Sequence, residues 1–343
     1  MRRLWIVTGA SGHLGNVLVR TLVDHGEWVR CLALTSESTQ SLDMLPVDIL
    51  RGNVCDIKSL EPLFSAPDST EIMVVHAAGI VSIASGHQKL VHEVNVGGTA
   101  NIIKMCLRCK VKRLVHISSV HAIPERAPGE IISEVSAFSA QLVKGVYAKS
   151  KAEATQLVLE SVRSGLDAVV VQPSGIVGPG DFGRGHMTQL FLDYLEGRFR
   201  VIINGGYDFV DVRDVAAGIL AAAEKGFCGE CYILSNRYVS VAEFIQILSD
   251  VSGKPPIRRI IPLVFAKMTA PLSEIYYLLR RQPPLYTPCS LAILQCNARF
   301  SHEKASKILG YQPRDFHETV LDTFEWLVKN GKVPKYAPPK VSG

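Results

Sequence analysis

Apolar residues in the first half of the chain fall into two alternating rhythms. Short aliphatic, β-branched runs cover 4–8, 29–34, 49–51, 72–76, 113–118 and 168–172, and these predict strands. Between them, apolar positions at helical spacing predict helices over 13–25, 59–64, 87–108 and 147–164. Strand and helix in regular alternation predict an α/β chain with a doubly wound parallel sheet covered on both faces. After Pro173 the rhythm loosens. Gly175, Gly178, Pro179, Gly180, Gly183 and Gly185 crowd one stretch, which predicts a loop leaving the sheet. A helix-like stretch over 212–224 and a strand-like run over 232–234 then predict a return to the first domain.

This places one domain over 1–173 and 207–238, a smaller, discontinuous C-terminal domain over 174–206 and 239–335, and a tail over 336–343. The apolar stretch 257–279 lies between Arg258-Arg259 and Arg280-Arg281, and is interrupted by Lys267, Pro271 and Glu274. No transmembrane span is expected there; a buried or pocket-lining helix is, with surface attachment to lipid as the alternative. A chain of 343 residues with 47% apolar and 20% charged residues has the composition of a folded, two-domain globular protein.

Charge changes this picture little. The net charge of +5 is scattered, so nucleic acid is not an expected partner. Met1-Arg2-Arg3 runs directly into the first strand without the pattern of a secretory signal, and a cytoplasmic location is expected. Among eight cysteines, Cys106 with Cys109 and Cys228 with Cys231 form CxxC pairs. The pairs lie too far apart for a structural zinc site and have no accompanying histidine cluster, so reduced thiols and no metal are expected.

The chemistry begins at Val7-Thr8-Gly9-Ala10-Ser11-Gly12-His13-Leu14-Gly15, three glycines between the first strand and the first helix. Gly9 would permit the tight turn, Gly12 would let backbone approach a pyrophosphate, and Gly15 would let helix and strand pack closely. This is the phosphate cradle of a Rossmann dinucleotide-binding domain, with helix N-terminal amides facing the anion. At the end of the second strand, Ala33-Leu34-Thr35-Ser36 carries neither an acid for a ribose nor an Arg for a phosphate. Without a repelling carboxylate there, NADP(H) is preferred over NAD(H), although Glu37 keeps NAD(H) open.

Tyr147-Ala148-Lys149-Ser150-Lys151 sets a phenol and an ammonium on one helix face. A cation there would favour the phenolate of a tyrosine whose ordinary pKa is about 10. His116-Ile117-Ser118-Ser119 would project a hydroxyl at the carboxyl edge of the sheet, beside the nicotinamide. His76, His116 and His121 read as core or loop histidines, Asp211 as a helix cap and Arg213 as its counter-charge.

These motifs together resemble the extended short-chain dehydrogenase/reductase superfamily, the NAD-dependent epimerase/dehydratase group. Thr8 to Gly15 is similar to its TGxxGxxG, Tyr147 to Lys151 to its YxxxK, and Val75-His76-Ala77-Ala78-Gly79 to its cofactor-wall motif. Asn95-Val96-Gly97-Gly98-Thr99-Ala100-Asn101 and Gln172-Pro173-Ser174-Gly175-Ile176-Val177-Gly178-Pro179 resemble two further signatures.

The resemblance implies that Tyr147 is the general acid/base, that Lys151 holds the nicotinamide ribose and lowers the tyrosine's pKa, and that Ser119, with Ser118 as the second candidate, holds the substrate oxygen. It also implies cofactor contacts at Thr8, Gly9, Ser11, Gly12, His13, Leu14, Gly15, Thr35, Ser36, Ala77, Ala78, Gly79, Asn95, Pro173, Ser174 and Ile176, with Asn53 and Val54 at the adenine. A homodimer through helices 87–108 and 147–164 is implied as well.

Within the superfamily, the sugar-nucleotide epimerases and dehydratases commonly carry an Arg where this chain has Tyr207, and many place a Lys where it has Ile80-Val81-Ser82-Ile83. Residues 205–215, 226–234 and 297–313 resemble the dihydroflavonol reductase and 3β-hydroxysteroid dehydrogenase branch. The expected activity is hydride transfer between NAD(P)(H) and the carbonyl or secondary alcohol of a small apolar substrate. The alternatives are a sugar-nucleotide epimerase or dehydratase and a non-catalytic dinucleotide sensor, the latter disfavoured because Tyr147 and Lys151 are both present.

Overall fold

The computed structural model describes residues 3–81, 88–183, 185–198, 201–262, 291, 294 and 296–333. Seven parallel strands form the central sheet: β1 (Arg3–Thr8), β2 (Trp28–Ala33), β3 (Asp48–Arg51), β4 (Glu71–His76), β5 (Arg113–Ile117), β6 (Ala168–Pro173) and β10 (Cys231–Leu234). Their order is β10-β6-β5-β4-β1-β2-β3. The six strands expected from sequence are all present, and β10 adds a seventh by pairing with β6. The order reverses direction between β1 and β4, which opens a crevice at the strands' carboxyl ends, where ligands of such sheets bind.

The strands are apolar almost throughout because both faces are covered. Leu4, Ile6, Val74, Leu114 and Val170 face one core, completed by α4 (Gly98–Arg108) and α5 (Val146–Val162). Trp5, Val7, Val75, Val115 and Val171 face the other, completed by α1 (His13–Asp24) and α7 (Val212–Lys225).

Two predicted helices are broken in the structure. The stretch 59–64 is α2 (Ile57–Leu60), capped by the Asp56 side chain, followed by a 3₁₀ turn over Glu61–Phe64 that accommodates Pro62. The stretch 87–108 is α3 (Gln88–His92), a π-helical turn over Glu93–Gly97, and α4. The wide turn directs Asn95 inward to bond with Ile80 and Ser150, and such turns gather at functional sites.

Beyond β6, β7 (Gly175–Val177), β9 (Gly206–Asp211) and β11 (Arg237–Ser240) form a small sheet with β9 in the middle, and β8 (Ile202–Ile203) pairs with β12 (Ile260–Ile261). A third core of aromatic and aliphatic side chains, among them Phe191, Phe244 and Phe316, joins α6 (His186–Leu195), α8 (Val241–Ser252) and α10 (Phe316–Lys329). Two segments cross the boundaries read from sequence. β9 lies inside 207–238 yet pairs in the small sheet, whereas α9 (Glu303–Leu309) packs on α7 and β10, with Ala305, Leu309 and Tyr311 in the second core.

The expected helix over 257–279 falls, from residue 263 onward, outside the described residues, as does the tail. Among the described residues no helix is long and apolar enough to cross a membrane. Among them, too, no group of three His, Cys, Asp or Glu is placed to hold a metal, and the thiols of both CxxC pairs are free.

Candidate active site

The glycine turn is built by close approach of backbone. Gly9 has φ +71°, and a Cβ there would stand 2.8 Å from Ala77 and Ala78 backbone atoms. A Cβ on Gly15 would stand 2.0 Å from the Gly9 carbonyl oxygen, so the start of α1 can lie against the turn only without a side chain. Gly12 caps α1 with no side-chain bond, which leaves first-turn N–H groups pointing out of the helix end beside Leu14. The buried Ser11 Oγ has no partner among the described residues. Open amides, an unpartnered hydroxyl and a Cβ-free approach suit a pyrophosphate.

The neighbouring candidates brace this cradle. Thr8 is fully buried, and its hydroxyl meets His76 Nδ1 at 2.8 Å and accepts the Ala78 N–H at 3.1 Å. It therefore ties the wall Ala77-Ala78-Gly79 to β1 and does not face the crevice. His13 Nε2 lies 3.1 Å from the Pro179 carbonyl oxygen, and burial lowers the imidazole's pKa. Asn95 Oδ1 accepts the Ile80 N–H at 2.8 Å while its Nδ2 donates to Ser150 Oγ at 2.9 Å, so it joins the wall to α5. Pro173 and Ser174 are buried at the end of β6, and Ile176 sits half-buried in β7.

At the far end, Thr35 and Ser36 are exposed in the loop after β2. Glu37 is turned back, its carboxylate accepting the Leu34 N–H at 3.1 Å. Sequence reading missed Arg51, which reaches this loop from β3 and donates to the carbonyls of Leu34 (2.8 Å) and Glu37 (2.7 Å) and to Thr39 Oγ1 (2.9 Å). Strand pairing supplies the guanidinium that the loop's own sequence lacks. Asn53 Oδ1 accepts the Cys55 N–H, and the Val54 carbonyl accepts from Asn101, so both candidate adenine contacts are fixed by their own loop and by α4.

The three proposed reacting side chains converge where β5 ends. Ser119 begins a 3₁₀ turn over Val120–Ala122, and its hydroxyl lies beside the phenol of Tyr147, which stands in the first turn of α5. Ser118 instead bonds to Thr155 Oγ1 at 2.6 Å, a structural tie between β5 and α5. Lys151 is buried and donates to the Ile117 carbonyl at 2.7 Å, with its Nζ 3.5 Å from where a Gly79 Cβ would be.

Burial holds the Lys151 ammonium down to about 8 and pushes the Tyr147 phenol up to about 12, against a smaller lowering by Ser119. One donor of the Lys151 head group is taken by a backbone carbonyl, and desolvation is the larger influence on the phenol.

A further pair stands at this point that sequence reading left out of the chemistry. His121, in the 3₁₀ turn, lies edge-on to Tyr147 with ring centroids 6.0 Å apart, and stacked on Tyr207 at 5.6 Å. Residues 121, 147 and 207 are far apart in sequence, and no local pattern signals their meeting. Below them, His76 and His116 lie side by side in register on β4 and β5. Asp211 caps α7 and binds Arg213, as the sequence predicts.

A model of the NAD dependent epimerase/dehydratase family matches residues 5–234. "Sterol demethylase protein B" of Methylococcus capsulatus is 32% identical over 96% of this chain and 99% of its own length. A 3beta-hydroxysteroid-dehydrogenase/decarboxylase of Arabidopsis thaliana, isoform 1, is 29% identical over 95% of this chain and 80% of its own length. Among solved structures, that of gox2253 superposes with a TM-score of 0.82 at 29% identity, covering 96% of this chain and 99% of the other.

Proposed function

The chain belongs to the NAD-dependent epimerase/dehydratase family, an enzyme group of the extended short-chain dehydrogenases/reductases, and on that premise we propose that it transfers hydride between a nicotinamide dinucleotide and the carbonyl or secondary alcohol of a small, apolar substrate. The observation that carries this reading is the meeting of Ser119, Tyr147 and Lys151 at the carboxyl end of β5, beside the wall residue Gly79.

The cofactor supplies or accepts the hydride when bound. The pyrophosphate would lie on Ser11, Gly12 and the start of α1, and Lys151 would hold the nicotinamide ribose. Ser119 donates a hydrogen bond to the substrate oxygen and keeps the Tyr147 phenol directed at it. Tyr147 gives its proton to that oxygen in reduction and takes it back in oxidation. The buried positions of Ser119 and Lys151 exclude water from the exchange.

NADP(H) is the preferred cofactor in this reading, supported by Arg51 at the loop carrying Thr35 and Ser36 and by the engagement of Glu37 with backbone. Tyr207 in place of a guanidinium supports an apolar substrate over a sugar nucleotide. Residues 174–206 and 239–335 would form most of the substrate side, and α4 and α5 the face of a homodimer.

Tyr147→Phe tests the reading. Turnover of ketones with NADPH should fall about 10²- to 10⁴-fold while NADPH affinity stays near wild type. Retained turnover would overturn it.

A further inference from the structure

The small sheet brings a second phenol to the site. Tyr207, at the start of β9, is buried, and its Oη lies 3.0 Å from His121 Nε2. The two rings stack at 19°, and the imidazole is edge-on to Tyr147 at 74°. Tyr147, His121 and Tyr207 therefore form a continuous row of rings. The row is held at its middle and at one end: the His121 backbone N–H donates to Ser119 Oγ at 3.2 Å, and Phe209 and Phe300 contact Tyr207 edge-on.

We propose that Tyr207 and His121 form a second oxygen-binding pair, which anchors a hydroxyl or carbonyl of the substrate other than the reacting one. The proposal rests on the reading of Tyr147 as the proton donor.

Burial favours the uncharged imidazole of His121, which then carries one donor and one acceptor nitrogen. Burial, with Asp208 and Tyr147 nearby, holds Tyr207 well above the ordinary phenol range, so its proton is retained. The pair has two arrangements. In one, Tyr207 donates to His121 Nε2 and leaves its oxygen lone pairs open to accept from a substrate hydroxyl. In the other, His121 Nε2–H donates to the Tyr207 oxygen and frees the phenolic proton for a substrate carbonyl. Rotating one hydroxyl and moving one ring proton thus adapts the pair to either oxygen function. The Tyr207 phenol takes its polar partner from His121, while its neighbours Phe209 and Phe300 are apolar, so the pair is a polar spot among apolar side chains one ring away from Tyr147. The substrate class this fits is an apolar ring compound carrying a second oxygen, such as a hydroxyketone or diol.

The test uses the whole chain with NADPH or NADP⁺ and two matched ketone pairs: cyclohexanone with 4-hydroxycyclohexanone, and 2-decalone with its ring-hydroxylated analogues. Wild type should favour a hydroxylated member by about tenfold in kcat/KM, chiefly through KM, as one net hydrogen bond gives. Tyr207→Phe removes one oxygen and keeps the ring. It should bring that ratio to near one, and His121→Gln, which keeps a donor and an acceptor, should retain part of it.

A ratio unchanged in Tyr207→Phe, or no ratio in wild type, overturns the pair. Equal losses on both members with a lowered melting temperature also overturn it, since they mark a merely structural role. Calorimetric binding of the same compounds to the NADP⁺ complex separates this from the parent reading. Failed turnover with the binding preference intact removes Tyr147's role and keeps the pair, whereas equal binding of both members by wild type removes the pair.

Discussion

At the scale of the residue, burial sets the chemistry more strongly than sequence spacing does. Lys151 has no carboxylate among the partners of its ammonium, and desolvation alone brings it to about 8 from the ordinary 10.5. The folded chain therefore binds fewer protons than the unfolded one between about pH 8 and 10.5. The contribution of Lys151 to stability rises with pH across that window and is least below pH 8. Activity should do the opposite, with kcat/KM falling above about pH 8 as the ammonium is lost. The melting temperature of wild type should therefore rise relative to that of Lys151→Met across this window, and the substitution should abolish turnover. A thermal-shift series from pH 7 to 10.5 on both proteins checks the first, and NADPH oxidation the second.

Arg51 makes the same point about location. Its guanidinium is fixed on the loop after β2 by bonds to Leu34, Glu37 and Thr39, and the proposed preference for NADP(H) requires that a 2′-phosphate meet it there. Arg51→Met should raise KM for NADPH about tenfold and KM for NADH much less, as an ion-assisted hydrogen bond to phosphate predicts. Equal effects on both cofactors would leave the guanidinium only a loop brace.

At the scale of the element, the β1–α1 unit and the strand rhythm were readable because their signals are local. Gly9 and Gly15 are needed by one turn, and both needs recur in the structure as approaches below 3 Å. Gly15→Ala should push α1 off the turn and weaken dinucleotide binding at least tenfold, a loss visible by NADPH fluorescence titration. The wide turn over Glu93–Gly97 was not readable: its residues suit an ordinary helix, and only the buried bonds of Asn95 to Ile80 and Ser150 make the distortion worthwhile. Tyr207, His121 and Arg51 escaped for a related reason, since each acquires its role from a strand or turn that arrives from elsewhere in the chain.

The paired strands β4 and β5 add an acid sensitivity. Burial and the nearby Lys151 hold His76 down to about 3, and push His116 well below 6.5. His76 bonds to Thr8 and Thr99, whereas neither His116 nitrogen has a partner among the described residues. Both imidazoles are neutral in the fold, while the unfolded chain takes up their protons below about pH 6.5. Their stability contribution is complete above that pH and is lost as pH falls from about 6.5 toward 3. His116→Leu should flatten the acid limb of a melting-temperature profile without costing stability at pH 7.5. A steeper limb or a large loss at pH 7.5 would refute a neutral, unpaired His116.

At the scale of the whole molecule, a network of charges joins the cofactor domain and the C-terminal segments at one seam. Asp211, fully buried at the start of α7, receives Arg213 at 2.7 Å and Arg314 at 3.6 Å. Arg213 continues to Asp322 of α10 at 2.6 Å, and Arg314 to Asp214 of α7 at 2.8 Å. Seen from the sequence, Asp211 and Arg213 are only a cap and its neighbour; the second half of the clasp comes from a segment about 100 residues later.

The seam also reaches the cradle, because a Cβ on Gly178 would stand 3.3 Å from Asp211 Oδ1, and the adjoining Pro179 carbonyl meets His13. Removing one member of a buried ion network leaves the remaining charge unpaired and costs about 3–5 kcal/mol, more than the intact pairs contribute. Arg314→Met should therefore destabilise the chain by about that much, and Asp214→Asn by a similar amount, with the double substitution costing less than the sum. If the loss stays at the seam, the urea midpoint falls while the NADPH dissociation constant holds. The contact of Asp211 with the Gly178 turn predicts instead that both move together in Arg213→Met, measured by urea unfolding and by NADPH titration on the same preparation.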